Sequence, residues 1–488
     1  MKSTIPVRLL LLTAAVLPGA LGAQSITLTE FLALVRGNHP LFEKETLTTT
    51  IEEQARDASL GGQDWQITSS PSYFHQTPLA TSSFSPKSLD QISAGVAAEK
   101  AFWNTGGRLS LSLSSDITDQ KLDDIVIPFT PDPLVISPGQ PRFYQNSISL
   151  SYTQPLFQNY RGELDRMGYE IGQYTVDLVA LQAEENQEEF ILEVAANFID
   201  WVLLTEQKAI AREQLGLTEQ QLEQARKKRA ANLIDEVDVL RSEDAVRITE
   251  QSVVLIDAQW NAKQAELAVL SGSNDLYQLT PEFNLYERIE PLSLQSATER
   301  LRQQSRLLKV LSLRRQQMER QHQGLEEMLK PQLYLTAQLT SKSGNSEFGS
   351  SLGFDKGDAG VFLQFNYPLG NRSAVAEAEK SRLQLQRHDL EVEEIVLGLE
   401  AVLSNLIIQI EGMERVLELN EKQIETARLK TEEEIRLYNQ GRSDLTFVIQ
   451  SQDSEERALL TYAQNAATYQ VLNLQLQALM DELMPATE

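Results

Sequence analysis

The sequence has 488 residues, enough for two or three ordinary domains, and a formal net charge of −26 at pH 7. This acidic balance is the opposite of what nucleic-acid-binding proteins show, so we expect no nucleic-acid partner. The absence of cysteine excludes disulfides, thiolate metal sites and cysteine nucleophiles. Four histidines without paired spacing also give no reason to expect a metal or another cofactor.

Residues 1–23 predict a secretory signal peptide. Lys2 and Arg8 precede the apolar run 9–17, and small residues follow up to Ala23. The run is too short to span a bilayer, and no cysteine follows it for a lipid anchor. No later stretch reads as a membrane-spanning helix. If the mature protein lies in a membrane, it must therefore cross as a closed β-barrel.

The next segment, 29–60, predicts a helix with Thr29 as its N-cap. Pro40 lies inside it, so we expect either a kink or a late start of the helix near Asn38-His39-Pro40. The adjacent His39 is interpreted as a local capping or packing residue.

From Trp65 to Phe157 the hydrophobic period changes to two, which is typical of strands. Leucine alternates with serine over 109–114, and Ile148, Leu150 and Tyr152 alternate with serines. Segments 65–74 and 92–102 have a weaker form of the same pattern. A short turn at 105–107 contrasts with long polar loops at 77–90 and 118–143, as in outer-membrane barrels. A soluble β-sandwich has similar alternation and stays an alternative.

Segment 159–229 predicts a very long helix, about 100 Å at 1.5 Å per residue. Its apolar residues repeat with alternating spacings of three and four from Leu164 to Leu181, which indicates a coiled-coil seam. Phe198 and Trp201 lie off this seam, so the helix is expected to pack on more than one neighbour. Glu184, Glu185, Glu188 and Glu189 are interpreted as a solvated face rather than a metal cluster.

The second half repeats the order of the first. After a connector of mixed structure at 272–293, the pattern predicts a helix at 294–329, strands at 333–339 and 361–367, and a long helix at 373–438. Returning helices are expected at 237–270 and 445–483. Each hairpin has a tip, at 230–238 and 438–447, where Asn232 and Gly441 suit the left-handed conformation that ends a helix.

These matches predict an internal duplication with a first repeat at 24–271 and a second at 294–488. The first repeat is longer between its first and last strand, which leaves room for two more strands. We therefore expect four strands in the first repeat and two in the second; alternatively, 92–117 forms a hairpin outside the barrel. Six strands are too few to enclose a lumen, so subunits of a homo-oligomer would share one barrel.

The sequence resembles the TolC-like outer-membrane efflux and secretion channels over nearly its whole mature length. The resemblance rests on ITLTEFLALVRGNHP, the strand endings TQPLF and NYPLG, and the tips ANLIDEVDVL and YNQGRSDLTFVI. It implies a membrane α+β fold: a homotrimer that shares an outer-membrane β-barrel, continuous with a long periplasmic α-helical coiled-coil barrel. Six strands per chain exceed the number that is usual in the family.

The resemblance also implies a gate at the periplasmic tips. A tyrosine before the second tip glycine bonds an aspartate of the first tip, and Tyr438 and Asp238 occupy those positions. Arg442 lies one position before the usual arginine. Phe447 and Gln450 stand where the family has two rings of acidic residues around the pore, so a ring of Phe447 side chains, one from each subunit, would close the pore by dewetting. The alternatives are coiled-coil packing by Tyr438 and Phe447, and for Asp238 a helix N-terminal charge that is favourable to the dipole. The expected adaptor contacts are Asn232, Leu233, Ile234, Gly441, Ser443 and Leu445.

The resulting functional hypothesis is a passive, non-enzymatic export duct that lies in outer-membrane lipid and extends into the periplasm. No GxxxxGK[ST] motif is present, so energy would come from an inner-membrane transporter joined through a periplasmic adaptor, a membrane fusion protein, in a tripartite efflux pump or type I secretion system. One alternative is a soluble periplasmic coiled-coil scaffold or adaptor. A secreted hydrolase has no supporting Ser-His-Asp context or carboxylate pair.

Overall fold

The computed structural model describes residues 24–79, 85–127, 132–137, 142–290 and 292–484. The predicted signal peptide lies outside these residues. The chain divides into two compact units. The first unit comprises Met1–Lys44, Asn186–Ser305 and Leu399–Glu488, and the second comprises Glu45–Glu185 and Arg306–Gly398.

Eight α-helices make up most of the described chain. They are α1 (Leu28–Asn38), α2 (Pro40–Ala58), α3 (Glu163–Ala230), α4 (Glu236–Ser271), α5 (Leu294–Gln304), α6 (Arg306–Glu327), α7 (Arg372–Asn439) and α8 (Leu445–Leu479). Helices α3 and α7 have 68 residues each, and the helices that return from them, α4 and α8, have 36 and 35. The two predicted hairpins therefore have closely matched arms.

Eleven strands accompany the helices within the described residues. They are β1 (Gln24–Thr27), β2 (Gln66–Ser69), β3 (Ser72–Gln76), β4 (Ser88–Phe102), β5 (Gly107–Lys121), β6 (Ile125–Ile127), β7 (Leu134–Ile136), β8 (Arg142–Pro155), β9 (Leu279–Glu282), β10 (Gln332–Asn345) and β11 (Lys356–Asn366). The first and ninth pair in parallel, and β6 pairs with β7.

The second unit contains one antiparallel sheet in the order β11-β10-β8-β5-β4, with β2 and β3 both paired to the outer side of β4. These two segments act as one strand broken at Ser70-Pro71, because proline has no N–H to donate to a ladder. The sheet thus has six strand positions. The segment 92–117, considered above as a separate hairpin, lies inside this sheet, since β5 pairs with both β4 and β8.

The register of the sheet sorts its side chains onto two chemically different faces. Leu111 lies opposite Leu150, which in turn lies opposite Leu339. This face is apolar yet solvent-exposed along its whole width; its exposed members include Ile67, Val96, Leu111, Leu113, Ile148, Leu150, Leu339, Val361, Leu363 and Phe365. Such a broad exposed apolar surface marks an interaction surface for lipid or protein.

The opposite face is polar and bonded internally. Ser149 Oγ and Thr340 Oγ1 lie 2.8 Å apart, and Ser114 Oγ and Ser147 Oγ lie 2.7 Å apart. A third pair joins the hydroxyls of Thr153 and Thr336 at 3.0 Å. The hydroxyl groups of these small side chains hydrogen-bond one another across neighbouring strands, as expected for a face that meets water.

The sheet meets the helices of its unit through a close backbone contact at one end. Gly106, in the short turn between β4 and β5, and Gly162, just before α3, both have φ of +71°. A Cβ on Gly162 would lie 1.8 Å from the backbone oxygen of Trp103. Only glycine fits here, because a side chain would both clash with backbone and favour another φ.

The first unit is built around aromatic residues of α3. Phe198 and Trp201 are fully buried, although both lie off the predicted seam. They pack with Phe31 of α1, Leu267 of α4 and Tyr469 of α8. The helix is therefore buried on more than one side, as its extra apolar residues indicated.

Several local expectations need correction. The first helix is capped by Thr27 rather than Thr29, because Thr27 and Glu30 form a capping box. The predicted helix 294–329 is broken at Ser305 into α5 and α6. Glu188 does not lie on a solvated face: it is 3% exposed and accepts a hydrogen bond from the Leu483 N–H at 2.9 Å. The expected interruption before Pro40 is present, since α1 ends at Asn38 and α2 begins at Pro40. His39 both caps and packs: its Nδ1 accepts the Leu41 N–H at 3.3 Å, and its ring stacks on Phe190.

Helix α7 has an unexpected apolar character. Contrary to the sequence interpretation, it holds an 18-residue window apolar enough, by length and composition, to cross a membrane. The core helix of a soluble protein passes the same test, and Leu403 and Ile407 of α7 are indeed buried. Other apolar residues of α7 are exposed: Leu383, Leu390, Leu397, Ile408 and Leu419. They lie on one face of the helix, because successive members are seven or eleven positions apart, close to two or three helical turns.

Candidate functional site

The two hairpin tips belong to the first unit, and each is turned by one left-handed residue. Asn232 has φ of +49° and Gly441 has φ of +72°, as the sequence indicated. Leu233 N–H bonds back to the Lys228 carbonyl at 2.9 Å, and Arg442 N–H bonds to the Leu437 carbonyl at 2.9 Å. Both helices thus end in the same type of closed turn.

The tips together line a cavity of about 570 Å³. This tip cavity brings together most of the predicted residues, namely Asp238, Tyr438, Asn232, Leu233, Ile234, Gly441, Ser443 and Leu445. Leu445 is buried and anchors the start of α8, whereas Leu233 is 73% exposed and free to meet another surface. Ser443 Oγ donates to Glu434 Oε2 at 2.7 Å and so holds the second turn onto α7.

The expected hydrogen bond between Tyr438 and Asp238 is not formed. The buried Tyr438 hydroxyl has no hydrogen-bond partner among the residues that the structure describes. Lys228 from the first hairpin takes the contact instead: its Nζ lies 3.8 Å from the Tyr438 ring centroid and donates to Asn439 Oδ1 at 3.2 Å. Burial lowers the pKa of the Lys228 ammonium and raises the pKa of the Tyr438 phenol. The tips therefore meet through a cation–π contact.

Asp238 takes part in a second connection, through Arg241. Arg241 Nη1 lies 3.1 Å from Asp238 Oδ1 on its own helix and 3.7 Å from Asp444 Oδ1 on the other hairpin. Asp444 is also the N-cap of α8, and its bond from the Thr446 N–H lowers the pKa of its carboxyl. One guanidinium thus bridges a carboxylate from each tip.

Three predicted gate residues lie outside the tip cavity. Arg442 is exposed. The pKa of the Glu433 carboxyl is lowered mainly by its hydrogen bond from Arg436 and to a smaller extent by the charge of Arg442. Phe447 is 54% exposed on the first turn of α8. Gln450, one turn further on, lines a different cavity.

Sequence reasoning missed Lys228 and Arg241, which make the contacts between the tips. Lys228 lies in the basic run Arg226–Arg229, which is unusual in so acidic a chain and was the available signal. Which of these four cations contacts the second hairpin depends on the rotation of α3 relative to that hairpin, and the sequence does not determine this angle.

The same fold occurs in several solved structures. VceC from Vibrio cholerae, an outer membrane protein, is 10% identical, with a TM-score of 0.64 over 93% of this chain and 95% of that chain. The outer membrane channel MtrE of Neisseria gonorrhoeae, solved in its open state, is 12% identical with a TM-score of 0.64 over 94% and 90%. The Campylobacter jejuni channel CmeC is 9% identical with a TM-score of 0.63 over 94% and 87%.

The chain has the fold of the TolC-like outer-membrane channels. No protein-family profile and no curated protein sequence matches it. The resemblance drawn from the sequence is thereby confirmed for the fold, over nearly the full length of both proteins.

Proposed function

We propose that the protein is an outer-membrane channel that passively conducts substrates from the periplasm to the exterior and is gated at its helical tips. The observation that carries this proposal is the two-faced sheet. Its apolar face is exposed from Ile67 to Phe365, while its polar face is lined by serine and threonine. A barrel wall between lipid and a water-filled lumen requires this distribution.

The edges of the sheet support a barrel shared between copies. Among the described residues, the outer edges of β11 and of β2 and β3 pair with no other strand. In an antiparallel sheet with six strand positions, the two edge strands run in opposite directions. The edge strand of one copy can therefore pair antiparallel with the opposite edge strand of the next copy and continue the ladder. Closure would remove open edges, which are otherwise sites of aggregation.

The exposed stripe on α7 supports the same assembly. Leu390, Leu397 and Ile408 are between 63% and 67% exposed. Packing against a second copy would bury them, as in a coiled coil. We infer a homotrimer with a shared outer-membrane barrel, an α-helical coiled-coil barrel in the periplasm and an internal duplication of the chain. A periplasmic adaptor at the tips would connect it to an inner-membrane transporter, in an efflux pump or a type I secretion system.

A soluble periplasmic scaffold or adaptor is the second candidate. It would use the same helical hairpins. It does not account for the apolar face of the sheet, which no described residue covers.

The native mass and location of the protein test the proposal. We expect a trimer that is released from outer membranes only by detergent and that conducts ions in planar bilayers. A monomer released from the periplasm without detergent would contradict it and favour the scaffold.

A matched pair of substitutions on β5 tests the lipid-facing surface. Leu113→Arg places a charge on the apolar face near the middle of the strand, at a cost of about 2–4 kcal/mol if that face meets lipid. Ser112→Arg places the same charge on the polar face. We expect only Leu113→Arg to reduce the amount of folded protein in the outer membrane; equal effects would refute this orientation.

A further inference from the structure

The connection between β10 and β11, residues 346–355, folds back over one end of the sheet. We call it the β10–β11 loop. It includes a 3₁₀ turn at Ser350–Leu352. Residues alternate between the two faces of a strand, so Asn146 of β8 shares the apolar face with Ile148. Because Asn146 hydrogen-bonds Ser351, the loop lies on the apolar side of the sheet rather than beyond its end.

Two side chains of the sheet hold this loop in place. Asn146 Nδ2 donates to the Ser351 carbonyl oxygen at 3.2 Å and to Ser351 Oγ at 2.7 Å. Ser341, which pairs with Ile148 and so shares its face, donates from Oγ to the Phe354 carbonyl oxygen at 3.0 Å. Asn146 is 3% exposed, whereas Ile148 on the same face of the same strand is 41% exposed. The loop is therefore a packed part of the sheet surface.

The loop lies where a polar row crosses the apolar face. Asn146 is in register with Ser115 of β5 and with Ser343 of β10. This end of the sheet is remote from the helices of its unit, because β8 leads into α3 and β10 follows α6 at the opposite end. In lipid, a polar row needs hydrogen-bond partners from the protein itself, and the loop supplies them to Asn146 and Ser341.

The distance of the loop from the helical end of the sheet matches the thickness of a membrane. On this face of β10, the segment from Leu333 to Ser341 advances eight positions. At about 3.4 Å per residue and a strand tilt of about 40°, this is about 21 Å along the axis of a barrel, close to the apolar band of about 25 Å in outer-membrane barrels. The loop therefore lies at the far boundary of such a band.

Aromatic and apolar side chains are present at the same level. Phe348 of the loop packs edge-on against Tyr144, with ring centroids 5.6 Å apart. Tyr144 is in register, across β5 and β4, with Tyr73 of β3. Phe348 and Leu352 are both exposed. Aromatic residues form girdles where lipid hydrocarbon meets water, so this composition suits a membrane interface.

We propose that the β10–β11 loop is a lipid-binding surface that seats Phe348 and Leu352 in the interfacial region of the outer lipid leaflet. Its inner side hydrogen-bonds the polar row, and its outer side continues the lipid-facing surface up to the headgroups. The inference rests on the proposed channel function, because it requires the apolar face of the sheet to meet lipid.

The absence of cysteine allows a single-site test in the full-length protein. Leu352→Cys carries a nitroxide spin label in vesicles of phosphatidylethanolamine and phosphatidylglycerol. Electron paramagnetic resonance compares its collisions with oxygen, which is enriched in hydrocarbon, and with a water-soluble nickel chelate. Leu113→Cys on the apolar face and Ser112→Cys on the polar face are the controls. We expect the oxygen-to-nickel ratio at position 352 to exceed that of Ser112→Cys by about threefold or more and to stay below that of Leu113→Cys, because the interface lies between water and hydrocarbon.

Asn146→Leu, made in the Leu352→Cys background, tests whether the polar row holds the loop. It removes both hydrogen bonds to Ser351, and its side chain is compatible with lipid, so we expect the sheet to form and the ratio at position 352 to fall toward that of Ser112→Cys. The matched control is Ser149→Ala, which removes a hydroxyl bonded to Thr340 on the polar face and should leave the ratio unchanged. An unchanged ratio in Asn146→Leu would contradict the role of the polar row.

The controls separate failure of this inference from failure of the channel proposal. A low ratio at position 352 together with a high ratio at Leu113→Cys would overturn the inference and leave the channel proposal standing. Low ratios at both positions would overturn both, because the apolar face would then meet water. A label at position 352 that neither oxygen nor nickel reaches, broadened by labels on other copies, would also overturn the inference, since a neighbouring copy would then cover the loop.

Discussion

Lys228, rather than the Tyr438 hydroxyl, should hold the two tips together. Lys228→Met removes a cation–π contact worth about 0.5–2 kcal/mol and a hydrogen bond to Asn439 worth about 1 kcal/mol. The sum is about 1.5–3 kcal/mol per chain. Since 1.4 kcal/mol is a tenfold change in an equilibrium constant, we expect the tips to separate at least tenfold more readily.

Tyr438→Phe should have the opposite effect. It keeps the ring that Lys228 contacts and removes a buried hydroxyl that has no partner. Relief of that hydroxyl would favour tip closure by up to about 1 kcal/mol, because the ring is only half-buried. A latch between Tyr438 and Asp238 predicts instead that Tyr438→Phe opens the tips.

If the protein conducts ions as proposed, its conductance in planar bilayers distinguishes the two mechanisms. We expect a higher open fraction for Lys228→Met, and an unchanged or lower one for Tyr438→Phe. Lys227→Met is the matched control, because Lys227 is exposed and its ion-pair partner among the described residues is Glu223, one turn away. If Tyr438→Phe raises the open fraction as much as Lys228→Met does, the reasoning from this geometry is refuted.

Three further substitutions test other parts of the structure. Glu456→Gln should gain more Tm over the parent at pH 7.5 than at pH 4, because partial burial raises the folded pKa of the Glu456 carboxyl and the parent therefore loses stability as pH rises through it; an equal gain at both pH values would contradict a raised pKa for this group. Ile408→Lys should shift the native mass in detergent from trimer toward monomer, and an unchanged mass would exclude Ile408 from the interface. Gly162→Ala should abolish folding or destabilise the protein by more than about 3 kcal/mol in thermal unfolding, roughly 1–2 from the left-handed backbone and the rest from the clash. The control Gly168→Ala, in open space inside α3, should instead stabilise the protein by about 0.5–1 kcal/mol in the same measurement.

The sheet was largely predictable because its signal is local. Leucine and serine alternate directly along β5, so the sequence alone assigns each to one face. Pro71 also carries a local signal for the break between β2 and β3. The capping box of Thr27 and Glu30 is a local signal as well, because its two residues stand three positions apart in the sequence.

The contacts between elements were not predictable in the same way. Glu188 belongs to an acidic run that is solvated on an isolated helix, and it is buried because the end of the chain packs on it. No glycine or proline near Ser305 indicates the break between helices α5 and α6. The cavity lined by Arg241 and Asp453 depends on the spacing of α3, α4 and α8. None of these features can be derived from periodicity, which specifies a face but not its neighbour.

The distribution of contacts within the first unit bears on the proposed gate. Around Trp201 the helices share fully buried aromatic and aliphatic side chains, and truncating one of these typically costs about 3–5 kcal/mol. At the tips, Lys228 of the first hairpin makes a half-buried cation–π contact and a hydrogen bond to Asn439 of the second. The exposed ion pair of Arg241 with Asp444 adds about 0–1 kcal/mol. Local opening occurs where stability is lowest. The tips can therefore separate while the packing around Trp201 persists, which is the mechanical requirement for a gate that a binding partner opens.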